Sequence, residues 1–188
     1  MSILALAFAL LAAPLPAQAE PRSAVGLALY KQVCFDLASY PAARARIEAA
    51  GWMAYAPEAG TPMARHADYR GKGFGNVLRH AEYRHATEGG DVYLFLMEAK
   101  ERSGFGTGVH CRLYDPVARA LPSEAQITAW AGHEPTSTLT AAKGWVWWPG
   151  VGAGQDQTNV ELIDSTSIFA EDGPGLSIWS IDKPEGME

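Results

Sequence analysis

Only two of the 188 residues are cysteine, Cys34 and Cys111, so a single intramolecular disulfide is available to this chain. Joined, they close a loop of about 77 residues, and the lost freedom of the unfolded chain is worth about 4 kcal/mol. Such a bridge ties whatever forms around residue 34 to whatever forms around residue 111. It therefore excludes any fold that keeps the N-terminal segment away from the middle of the chain. Neither a Cys-x-x-Cys pair nor four-ligand zinc spacing is present, so the bridge is expected to be structural.

A disulfide needs an oxidising compartment. From Ile3 to Ala17 the chain is uncharged and mostly apolar, is broken by Pro14 and Pro16, and ends in Ala17-Gln18-Ala19 before Glu20. The run is too short and too proline-broken to cross a hydrocarbon layer of about 30 Å. Small residues stand where signal peptidase cuts, so residues 1–19 read as a cleaved signal peptide and Glu20 as the mature N-terminus. The absence of Lys or Arg before the run departs from the usual pattern. The expected location is periplasmic or secreted, with no membrane span in the mature chain. No cysteine lies near the cut, so a lipoprotein is not expected.

Residues 20–188 fit one compact domain. The net charge of −6 is unevenly spread: residues 20–119 carry 13 basic and 11 acidic groups, and residues 120–188 carry 2 and 10. An acidic C-terminal third repels phosphate backbones, and an exported protein meets little nucleic acid, so nucleic-acid binding is disfavoured.

Along the chain, Val25, Leu29, Tyr30, Val33, Cys34 and Leu37 recur at helical spacing over 24–37. Pro41 suits a first helical turn and Gly51 a left-handed stop for a helix over 42–50. Trp52 begins a short strand, and a loop follows from Pro57 to Pro62. The stretch 65–87 is ambiguous; Val77, Leu78 and Ala81 lean it to helix. Runs 91–98 and 107–115 are strand-like and joined by a glycine-rich turn, which puts Cys111 on the second strand. Ser123 and Gln126 have capping-box spacing for a helix over 124–131 ended by Gly132. Runs 145–148, 158–164 and 176–182 complete the strands. The predicted class is α+β, with helices flanking an antiparallel sheet.

Arg65-His66-Ala67-Asp68-Tyr69-Arg70 recurs as Arg79-His80-Ala81-Glu82-Tyr83-Arg84. Solvated charged segments explain the pair; so does an anion-binding face, since Arg offers planar donor forks, His a switchable charge and Tyr a stacking ring. Arg65, His66, Tyr69, Arg79, His80 and Tyr83 are the candidates for that face. Among Trp145, Trp147 and Trp148, strand alternation sets the first two on one side and the third on the other. One side belongs to the core and the other can stack on a sugar or protein, so Trp145 and Trp147 are further candidates. His66, His80, His85, His110 and His133 lack ligand spacing, so no metal is expected. The tracts 71–75, 104–108 and 150–154 match no nucleotide motif and read as tight turns; no cofactor is implied. There is no nucleophile elbow, and Glu98, Glu101 and Asp115 are carboxylates with no spacing that pairs them.

Ser103-Gly104, in a glycine-rich hairpin loop beside the expected bridge, resembles the loop of periplasmic lysozyme inhibitors. The resemblance covers a handful of residues, and the aromatic residue those inhibitors carry shortly after the pair has no equivalent, so no site is transferred. The sequence thus predicts an exported, soluble, non-enzymatic binding or inhibitory module of the cell envelope, with an envelope protein or an anionic or glycan ligand as partner. The alternatives are an envelope hydrolase acting on a glycan and a structural envelope component.

Overall fold

The structure is a computed structural model and describes residues 22–61, 63–65, 76–100, 107–139, 143–164 and 174–182. Two helices, α1 (Arg22–Cys34) and α2 (Tyr40–Ala49), lead into four strands: β1 (Met53–Ala54), β2 (Asn76–His85), β3 (Val92–Lys100) and β4 (Thr107–Asp115). Helix α3 (Glu124–Ala131) leads into four more: β5 (Ser137–Thr138), β6 (Lys143–Trp147), β7 (Gln155–Ile163) and β8 (Gly175–Asp182). The eight strands form one sheet in the order β1-β2-β3-β4-β8-β7-β6-β5, every neighbour antiparallel. It is two helix-led meanders fused where their last strands, β4 and β8, pair.

This corrects the expected α+β class with helices flanking a sheet. Among the described residues, strand accounts for 42% and helix for 26%, in short pieces. The molecule is mostly one antiparallel sheet with short helices added to it, and the apolar residues that α1, α2 and α3 bury join one cluster on one of its faces. Leu27, Tyr30, Val33 and Cys34 of α1, Ala43 and Ile47 of α2, and Ile127 and Trp130 of α3 pack there with Val92, Leu94, Leu96, Val109, Leu113, Val160 and Ile178. Gly26 keeps α1 close: a Cβ there would lie 3.2 Å from Leu176.

Local signals set the helix ends. Ser39 caps α2, and Gly51 follows it at φ +81°. In α3 both halves of the Ser123–Gln126 capping box form, and Gly132 stops the helix at φ +84°. The disulfide joins Cys34, at the end of α1, to Cys111 in the middle of β4, with Cα atoms 5.8 Å apart.

The lean to helix over 65–87 is also corrected, since Asn76–His85 is a strand. A register shift between Val77 and Arg79 breaks the period of two, so Val77, Leu78 and Ala81 imitate helical spacing. Among the described residues no helix is long and apolar enough to cross a membrane.

Candidate functional site

Strand alternation divides the predicted Arg/His/Tyr face. Arg79 lies on the helix-covered side of β2, bound to Glu98 through Nε (2.6 Å) and Nη2 (3.1 Å), with its guanidinium 4.6 Å from the Tyr40 ring centroid. His80 points the other way, toward Glu82 (Nδ1 to Oε1 2.9 Å) and the Phe95 ring. Tyr83 is in the core, its hydroxyl donating to Glu48 at 3.4 Å, and burial raises its pKa to about 12. Arg65 is exposed on a helical turn and donates to the Gly60 carbonyl at 2.6 Å. His66 and Tyr69 lie outside the described residues, as do Glu101, Ser103, Gly104 and the 71–75 tract.

The tryptophans separate as alternation requires. Trp147 is fully buried against Trp130, and Trp145 packs beside the same cluster, so both candidates serve the core. Trp148 is 54% exposed. It stands on a tightly bonded loop: its amide donates to Thr136 Oγ1 at 3.0 Å, and its carbonyl accepts from the same hydroxyl at 3.3 Å. Beyond the cis Trp148–Pro149 bond, the Gly150 amide donates to the Gln155 carbonyl and the Val151 amide to Thr158 Oγ1. The Gly152 amide donates to Gln155 Oε1 at 3.0 Å, and no side chain fits at Gly152, where a Cβ would lie 2.1 Å from the Phe35 carbonyl oxygen. Gln155 Nε2 donates to the Cys34 carbonyl at 2.6 Å, which roots this loop beside the disulfide. An exposed indole on a fixed backbone presents apolar area at little entropic cost.

The face opposite the helices holds a second concentration of chemistry. Cross-strand pairing there aligns Glu82, Phe95, Arg112, Trp179, Asn159 and Val146 in one row. Arg112 Nη2 and Trp179 Nε1 each donate to Glu161 Oε1 at 3.1 Å, and both charged groups are almost fully buried. A void of about 10 Å³, room for a single water, borders Phe95, Met97, His110, Arg112 and Trp179. None of these five was singled out as a ligand contact from the sequence; the available signal was Arg112, a charge set between Cys111 and Leu113 in a strand run.

Acid/base chemistry finds little here. Glu98 is held by Arg79, and Asp115 by Arg22 at 2.6 Å. Among the described residues no three His, Cys, Asp or Glu side chains are grouped so as to hold a metal. The chain matches no family model, no curated protein and no solved structure.

Proposed function

We propose that this chain is an exported, non-enzymatic binding or inhibitory module of the cell envelope, and that Trp148 is the centre of its ligand surface. The observation that carries the reading is that one large aromatic ring is left exposed on a loop whose backbone is bonded at every turn, while its neighbours Trp145 and Trp147 serve the core. Envelope glycans fit that chemistry, because the apolar face of a pyranose stacks on an indole. The Cys34–Cys111 bridge supports the exported half of this reading, since it suits an oxidising compartment.

Two experiments test it. Mass spectrometry of the protein recovered from the cell envelope should find Glu20, or a residue close to it, at the N-terminus; an intact Met1 in the cytosolic fraction would refute export. Binding of soluble peptidoglycan fragments, followed by indole fluorescence, should weaken on the order of tenfold or more in Trp148→Ala, the usual loss on truncating a central aromatic anchor. Thermal stability should be unchanged, because the ring packs into no core. Equal affinity in the two proteins defeats the assignment of Trp148. Release of glycan fragments on incubation would favour a hydrolase instead.

A further inference from the structure

Trp148 stands in the acidic half of the molecule. From Ala120 to Asp182 the chain carries no Arg and a single Lys, Lys143, whose ammonium is held by Asp164 at 2.8 Å. That pair sits at the start of β6, and the indole lies just past its end. Across the loop, Asp36 forms a bridge with Ala153, and the cation it brings, Arg46, is bound to Asp36 at 2.7 Å. Lys31 is on the helix-covered side, donating to the Trp130 carbonyl over the Phe35 ring.

Two carboxylates flank the indole with no ion-pair partner among the described residues. Glu134 comes two residues before Thr136, whose hydroxyl clasps the Trp148 amide and carbonyl and whose own amide donates to the Val146 carbonyl at 2.8 Å. The His133 carbonyl takes the Trp147 indole N–H at 3.4 Å, and His133 Nδ1 turns to the Glu134 carbonyl at 3.1 Å rather than to its carboxylate. On the other side, Asp156 is bracketed by two rungs, Trp147 opposite Thr158 and the Gly150 amide on the Gln155 carbonyl at 3.0 Å. Trp148 and Pro149 therefore run between the Glu134 segment and the Asp156 segment, each one strand spacing, about 5 Å, to the side. Glu134, Trp148 and Asp156 are all exposed, so a ligand meets them from solvent and needs no cavity.

The chemistry selects the charge of that ligand. An indole face attracts cations more strongly than any other side-chain ring does. Carboxylates within a Debye length of it, about 10 Å at 0.1 M salt, add to the attraction and repel anions. The reading of Trp148 as a glycan platform, on which this inference rests, asks in addition for a pyranose ring. We propose that the site takes an amine-bearing glycan, built of hexosamine units whose nitrogen is a free ammonium rather than an acetamide. The sugar face lies on Trp148, and the ammonium groups face Glu134 and Asp156. N-acetylated glycans offer the same rings without the charge.

The test titrates the full mature chain with two probes of equal length that differ only at nitrogen, tetra-glucosamine and tetra-N-acetylglucosamine, and follows indole fluorescence. The amine probe should bind about tenfold more tightly, as an exposed cation–π contact and two exposed ion pairs together allow. Salt at about 1 M, where screening shortens to about 3 Å, should erase the difference. Glu134→Gln with Asp156→Asn should bring the amine probe to the affinity of the acetylated one and leave the acetylated one unchanged. Both substituted groups are exposed, so the melting temperature should hold. Trp148→Ala should weaken both probes. Equal affinity of the two probes in the wild type overturns the proposal, and so does a preference that survives the double substitution. Either result leaves Trp148 as a glycan platform where Trp148→Ala still weakens both. Binding of neither probe, or binding indifferent to Trp148→Ala, overturns the platform and this proposal with it.

Discussion

At the scale of single residues, Arg22 does more than its exposed position in sequence suggests. Its Nε donates to Asp115 Oδ2 at 2.6 Å, its Nη2 reaches Oδ1 and the Gly90 carbonyl, and its Nη1 meets Thr87. One side chain thereby ties the start of α1 to the β2–β3 turn and to the end of β4. Asp115 is fully buried, so Arg22→Ala leaves a carboxylate supported, among the described residues, by the Val117 and Ala118 amides. A loss of about 3 kcal/mol by urea unfolding is expected for removing one partner of such a pair. Tyr83 contributes to the alkaline limit, alongside Tyr30, Tyr40 and Tyr93, whose hydroxyls burial also holds protonated to higher pH. Burial, reinforced by Glu48, raises its pKa from 10 to about 12, so the folded chain holds a proton that the unfolded chain releases. That contribution is intact below pH 10 and is lost as pH climbs to about 12. Melting curves across this window should fall more gently for Tyr83→Phe; an identical fall would assign the alkaline loss to other groups.

At the scale of elements, the chain's turns and caps follow local chemistry, and its strands follow their neighbours. Ser123→Ala removes the acceptor for the Gln126 amide and should cost about 1 kcal/mol, measurable as a lower melting temperature. Gly144 serves a different purpose, since a Cβ there would lie 2.1 Å from the Val160 carbonyl oxygen. Gly144→Ala should therefore force β6 from β7, and hydrogen exchange should quicken along Lys143–Trp147 well before the rest of the sheet; uniform protection would show that the strands adjust without parting. Helix α3 was legible to the residue because its start and stop lie in adjacent side chains. Strand β2 was not, because the register shift after Val77 is imposed by pairing with β3.

At the scale of the whole molecule, the β4–β8 seam holds the two meanders together, and the disulfide ties α1 to β4 within the first. Cys34→Ser with Cys111→Ser should lower stability by about 4 kcal/mol, since the reduced chain regains the freedom of a 77-residue loop. Denaturant titration with and without the bridge measures this, and a difference under about 1 kcal/mol would mean that the unfolded chain is already compact there. Because Gln155 couples the Cys34 carbonyl to the Trp148 loop, the same variant should also loosen that loop.

The sequence by itself determined what depends on near neighbours and on counting: the single possible cysteine pairing, the capped helix Glu124–Ala131, the strand Thr107–Asp115, and the separation of Trp147 from Trp148 by pleat alternation. Tertiary structure alone decided which strands meet, that α1, α2 and α3 cover one face, and that Arg79 and His80 part company across β2. The same holds for the group of Arg112, Glu161 and Trp179. Its members come from β4, β7 and β8, and only the closing of β8 between β4 and β7 sets them side by side. Hydrogen-bonded strand pairing acts between residues tens of positions apart and leaves no local periodicity to read.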